Sequence, residues 1–239
     1  MMDYEELNYQ SVATREAEVA AAFPALMRKV YLWMAMALVI TGFTAYLVAT
    51  NETLVQMIFS SKVVFFGLII AEFALVIGIT AAINKLSLPV ATLLFVLYSV
   101  INGATLSVIF FAYTMSSIAT VFFITAGTFG AMSIFGYVTK KDLSSWGKIL
   151  MMALIGLIIA TIVNIFVKSG AIETIASYVG VLIFVGLTAY DTQKIKQMCL
   201  QAPDAGETMQ KYALLGALSL YLDFINLFIY LLRIFGRRD

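Results

Sequence analysis

A chain of 239 residues that is 62% hydrophobic and only 12% charged is too apolar for an ordinary soluble domain, where about 25% of side chains carry charge. The net charge is +1, and its Lys and Arg residues stand in ones and twos beside apolar stretches, which excludes a nucleic-acid partner. Histidine is absent and Cys199 is the single cysteine, which removes the usual zinc ligand, Ser-His and Cys-His nucleophile pairs, intramolecular disulfides and the imidazole pH switch.

Residues 1–22 carry Asp3, Glu5, Glu6, Glu16 and Glu18 and lack a basic leader before a short apolar core, so no signal peptide is expected. Residues 1–28 read as a polar cytoplasmic tail. About twenty apolar residues cross a bilayer as a helix, and such runs fall at 30–50, 63–83, 88–112, 117–138, 149–167, 174–193 and 213–235. Lipid offers backbone polar groups no other partner, so the prediction is an all-α polytopic membrane protein, with residues 29–239 forming one domain of seven transmembrane helices.

The breaks between runs lie at Asn51-Glu52, at Asn84-Lys85 with Pro89 beyond, at 114–117, at 139–148, at Lys168-Ser169-Gly170, and in the long loop 197–211. Arg15, Arg28, Lys29, Lys85, Lys140, Lys141, Lys148, Lys194, Lys196 and Lys211 flank one side, against Lys62 and Lys168 on the other. That asymmetry predicts a cytoplasmic N-terminus. Arg233, Arg237 and Arg238 dissent, so the seventh run either crosses fully, the favoured reading, or re-enters and returns. Gly67/Ala71, Gly78/Ala82, Ala126/Gly130 and Gly156/Ala160 have the four-residue spacing that lets helices approach closely in lipid.

Two acids interrupt the last two runs, Asp191 in the sixth and Asp223 in the seventh. A charge near the bilayer centre costs about 2.5–3.5 kcal/mol even on the lenient insertion scale, so each marks a site more readily than an incidental helix tie. On the seventh run Gly216, Ser219, Asp223, Asn226, Tyr230 and Arg233 recur at intervals that place them on one helical face. A helix with a polar seam and apolar flanks belongs among other helices, so the seventh is predicted to be central. Asp191 falls about 8 Å below a boundary set near Lys196, and Asp223 reaches similar depth if its helix enters lipid near Gly216. If Asp191 and Asp223 meet at a few Å they cannot both ionise cheaply, and the pair would titrate as a unit near physiological pH. Glu72 at the centre of the second run, with Asn102, Asn164 and Asn226, adds carboxylate and amide oxygens suited to a hard cation. Glu72, Asn102 and Asn226 are the predicted pathway, a weak transit route for calcium and not a tight cage.

The run from Gly186 to Ile195, which contains Thr188-Ala189-Tyr190-Asp191, and the run from Ala217 to Phe228, which contains Leu220-Tyr221-Leu222-Asp223, resemble the transmembrane Bax inhibitor motif family. Asn102-Gly103, Phe135-Gly136-Tyr137 and Lys140-Lys141-Asp142-Leu143 extend the resemblance over nearly the whole chain. The resemblance implies a bacterial inner-membrane protein of seven helices, the last one central, acting as a pH-sensitive calcium leak with Asp191 and Asp223 as sensor and Glu72 as the acid of the second helix. It also implies an arginine near the cytoplasmic end of the second helix that braces the aspartates. That helix has no arginine here, and Lys85 is the nearest candidate latch, a point charge without arginine's forked donors.

The expected partners are lipid and calcium ions, with no cofactor. A competing reading makes the protein a regulator of a membrane-bound protease, engaged through the acidic tail. An intramembrane aspartyl protease would want Gly-x-Gly-Asp where this chain has Leu220-Tyr221-Leu222-Asp223, so no enzyme is expected. Paired broken helices in two related halves, the mark of many secondary transporters, are not evident.

Overall fold

The computed structural model describes residues 4–201 and 206–237. Within them the chain forms α1 (Tyr4–Ala49), α2 (Glu52–Phe59), α3 (Lys62–Ala82), α4 (Leu88–Leu106), α5 (Ile109–Ala112), α6 (Met115–Val138), α7 (Ser144–Val167), α8 (Gly170–Leu200) and α9 (Glu207–Phe235). Among the described residues seven helical stretches are long and apolar enough to cross a membrane, with α4 and α5 together making one of them. α1 runs unbroken past residue 28, and its apolar part is Ala21–Ala49.

The residues that read as breaks do their work as caps. Asn51 Oδ1 accepts the Leu54 N–H at 3.1 Å and so starts the short α2, an element the apolar pattern did not contain. Ser61, Thr114 and Ser169 serve the first turns of α3, α6 and α8 in the same way, satisfying amides that a helix start leaves without partners. Lys168 ends α7 in the left-handed conformation at φ 54°, and Asn164 Oδ1 accepts the Ser169 N–H at 2.9 Å. Asn164 thus closes the turn after α7.

Burial grades sharply across the seven spans. Of the most apolar window of α9, 61% is buried inside the bundle, against 6% for α3 and for α7. α9 packs on α8, α1, α6 and α4, while α3 rests on α4 and α7 on α8. α9 begins beside the start of α4, where Glu207 Oε1 accepts the Leu88 N–H at 3.3 Å. It ends beside the start of α6, where the Arg237 carbonyl accepts the Thr114 N–H at 3.2 Å and the Arg237 N–H donates to Ser117 Oγ at 3.0 Å. The last helix therefore traverses the bundle from end to end and does not turn back.

Close approach uses other glycines than the four-residue pairs suggest. A Cβ on Gly67, Gly78, Gly130 or Gly156 would meet open space. Two of the tight contacts lie at Gly103, where a Cβ would stand 2.6 Å from the Thr41 carbonyl oxygen, and at Gly136, where it would strike the Ala189 carbonyl. These two positions bring α4 against α1 and α6 against α8. The four-residue spacing fails as a guide because α3 and α7, which carry three of those glycines, lie at the bundle's margin.

Candidate functional site

The register of α8 against α9 sets the geometry of the aspartates. Gly216 receives the Ile195 side chain and Gly180 receives the Tyr230 ring, each so close that a Cβ would overlap at 2.8 and 2.7 Å. The helices run antiparallel, so interpolation between these contacts puts Asp223 opposite Leu187 and Thr188. Asp191 is then one turn away, about 5.4 Å along the axis. Gly216 stands level with Ile195, as a shared depth for the two acids requires. The Asp223 carboxylate lies within electrostatic reach of both Asp191 and Lys194, and Lys194 acts on Asp191 as well.

Asp223 is 4% exposed, and its Oδ2 is buried without a hydrogen-bond partner among the described residues. Native structures leave few such atoms, because an unserved buried group forfeits its hydration. Its neighbours explain the vacancy. Thr188 and Thr192, the hydroxyls nearest on α8, donate to their own helix at the Phe184 and Thr188 carbonyls, at 2.7 and 2.8 Å. On α9 the Asn226 amide donates to the Leu222 carbonyl at 2.8 Å.

A second polar assembly lies on another face of α9, two residues before Asp223. Tyr221, fully buried, donates through its hydroxyl to Asn102 Oδ1 at 2.9 Å and shares a 2.6 Å contact with Thr41 Oγ1. Thr41 Oγ1 also donates to the Ser99 carbonyl at 2.9 Å. Two hydroxyl protons thus serve three contacts, and only rotation of the Asn102 amide would serve all three at once. Beyond Asn102 the chain of bonds reaches Glu72 on α3, which accepts from the Asn102 amide and from Thr105 Oγ1, the latter at 2.6 Å. Phe95 and Tyr98 pack edge-on against Tyr221, with ring centroids 5.8 and 5.7 Å away. This assembly joins α1, α3, α4 and α9.

Residues 24–239 match the family described as "Inhibitor of apoptosis-promoting Bax1". The chain belongs to that family. It is 52% identical over 220 residues to the inner membrane protein YbhL of Escherichia coli, an alignment covering 91% of this chain and 94% of YbhL. An uncharacterized protein of Borreliella burgdorferi is 46% identical over 212 residues, covering 89% and 91%, and one of Deinococcus radiodurans is 41% identical over 230 residues, covering 96% and 98%.

The family member's six sequence-predicted site residues divide into groups. Asp191 and Asp223 lie about one helical turn apart along the α8–α9 packing, close enough to interact electrostatically. Glu72 and Asn102 come together between α3 and α4, away from that pair. Asn226 bonds to its own helix. Lys85 sits exposed in the turn after α3, and the cation acting on the aspartates is Lys194, which resides on α8 and whose Nζ lies 5.9 Å from the Tyr190 ring centroid. Sequence reasoning missed Tyr221, Thr41 and Ser99. Thr41 and Ser99 carried a signal, as lone hydroxyls within apolar runs, whereas Tyr221 lies off the polar seam of α9 and reads there as an apolar flank.

Gln193 ties this region to the loop between α6 and α7. Its Oε1 accepts the Leu143 N–H and its Nε2 donates to the Lys141 carbonyl, both at 2.9 Å. In the same loop Asp142 Oδ1 accepts the Ser144 N–H at 2.9 Å, and hydrogen bonds to Ser144 hold this exposed carboxyl below its ordinary range.

Proposed function

We propose that this protein is a pH-sensitive calcium leak of a bacterial inner membrane, gated by the Asp191 and Asp223 pair and with no enzymatic activity of its own. The inner-membrane placement rests on the seven apolar spans and on the relative that bears that name. The observation that carries the gating is the Asp223 carboxylate, buried, with one oxygen unserved, facing a second acid across the α8–α9 interface.

Adding or removing a proton there changes the repulsion between the two acids, and so the preferred spacing of α8 and α9. Tyr221 lies on the same rigid helix as Asp223, so a shift of α9 loads its bonds to Asn102 and Thr41. Through Asn102 the load reaches Glu72 and α3, a helix that has little else than α4 and the short α2 to hold it. In the arrangement described here, the Asn102 and Glu72 oxygens are engaged by Tyr221 and Thr105. Opening the network would release them to coordinate calcium weakly in transit. The route from the aspartates to α3 in this chain therefore runs through α9 and replaces a direct latch by Lys85.

Calcium flux into proteoliposomes, followed as pH is stepped, tests the reading. Wild-type flux should change with pH, and Asp191→Asn should flatten that dependence. An Asp191→Asn protein with the wild-type profile would overturn it.

A further inference from the structure

The leak proposed above does not use the groove between α1 and α6. α1 packs on α4 and α9, and α6 packs on α8 and α9, so the two diverge above α9 and leave a groove of about 750 Å³ floored by Phe224. The interior wall is almost wholly apolar, with Met34, Leu38, Ala126 and Phe129 among its residues. One end is different. There the Phe23 and Tyr137 rings stack with centroids 6.2 Å apart, Arg28 and Tyr31 stand on the α1 side, and Lys196 of α8 lies beside Tyr137. Its Nζ donates to the Tyr137 carbonyl at 3.0 Å and sits 5.0 Å from that ring's centroid.

We propose that this groove is a binding site for a phospholipid with an anionic headgroup, its acyl chain lying along the groove and its phosphate held by Arg28. Length and charge both support this occupant. From Pro24 to Leu38 the α1 wall is about 21 Å long at the helical rise, more than the ~15 Å depth of one leaflet. The apolar wall over that length suits hydrocarbon chains.

Charge selects the headgroup. Arg28 is exposed and makes no ion pair among the described residues, and Lys29 and Lys196 add positive charge at the same end. Guanidinium is suited to phosphate through paired hydrogen bonds, and basic pockets between membrane helices favour anionic lipid. The floor residue Phe224 adjoins Asp223, and Ser133 Oγ on the α6 wall lies 3.4 Å from the hydroxyl of Thr192, next to Asp191. The lipid would thus lie against the outer wall of the gate.

Native mass spectrometry of the full chain in detergent tests this, with phosphatidylglycerol and phosphatidylcholine of identical acyl chains as probes. One phosphatidylglycerol should be retained about ten-fold more tightly than phosphatidylcholine, and Arg28→Gln should bring the two together. Gly130→Leu places its side chain in open space within the groove, so it should fold normally and lose retention of both lipids. Unfolding temperatures of both variants without added lipid should match wild type, separating lost binding from lost structure. Equal retention of the two lipids in wild type would mean a non-specific lipid belt and overturn the proposal. So would glycerol phosphate binding as tightly as the whole lipid, retention unaffected by both variants, or a dimer that Gly130→Leu dissolves.

Discussion

Tyr221 and Asp223 stand two residues apart on α9, yet their surroundings are opposite in kind. Tyr221 is hemmed in by partners, with Asn102, Thr41 and two aromatic rings around one hydroxyl-bearing ring. Asp223 has a buried oxygen with none, beside a second acid. The first region resembles a structural joint, in which each group satisfies the next. The second holds an electrostatic conflict that only a proton, a cation or a movement relieves. Because both belong to one helix, a movement of α9 driven at one site would be felt at the other.

The contrast implies opposite signs when polar groups are removed. Asp223→Leu deletes the unserved oxygen and the like-charge conflict together, so it should stabilise the bundle by about 1–3 kcal/mol in denaturant titrations while abolishing the pH response of calcium flux. Tyr221→Phe strips the donor from Asn102 and the partner from Thr41, and should destabilise by about 1 kcal/mol, within the ~1.7 kcal/mol ceiling measured for such bonds in membranes. If both variants shift stability in the same direction, the two regions are not different in kind. Glu72→Gln keeps an oxygen for Thr105 and removes the charge at the far end of the chain of bonds, so its effect should be smaller still, about 0.6 kcal/mol or less.

Asp142 supplies the limit of an exposed acid. Its bonds to Ser144 favour the charged form, so its contribution is present above the ordinary carboxylate range and is lost as pH falls through its lowered pKa. The protection factor of the Ser144 amide against hydrogen exchange, taken relative to the intrinsic rate at each pH, should therefore fall in acid, and Asp142→Asn should remove that pH dependence without altering calcium flux. A flux change in this variant would tie the α6–α7 loop, and Gln193 that clamps it, to gating.

Much of this was legible in the residues because lipid narrows the choices. Length and hydropathy alone place the spans, and the seam from Gly216 to Arg233 places Asp223 on the α8-facing side of α9. The network around Tyr221 was hidden because it depends on the relative rotation of four helices, which no periodicity within one helix encodes. Lys85 is the cation nearest the place where the family resemblance implies an arginine on the second helix, and it sits exposed in the turn after α3. The cation that acts on the aspartates, Lys194, lies one turn from Asp191 on the same helix, a relation that short-range geometry favours. Asn164 resembled an ion ligand for want of any sign that the turn at Lys168 needed its side chain.

The central claim is that the charge state of the aspartate pair sets the arrangement of the helices around it. Spin labels on the exposed residues Val63 of α3 and Leu182 of α8 would report it directly, as interlabel distances measured in liposomes while pH is cycled. The distance distribution should move with pH in an otherwise native chain and stay still when Asp191→Asn and Asp223→Asn are combined. A pH-driven movement that persists unchanged in that double variant would contradict the account.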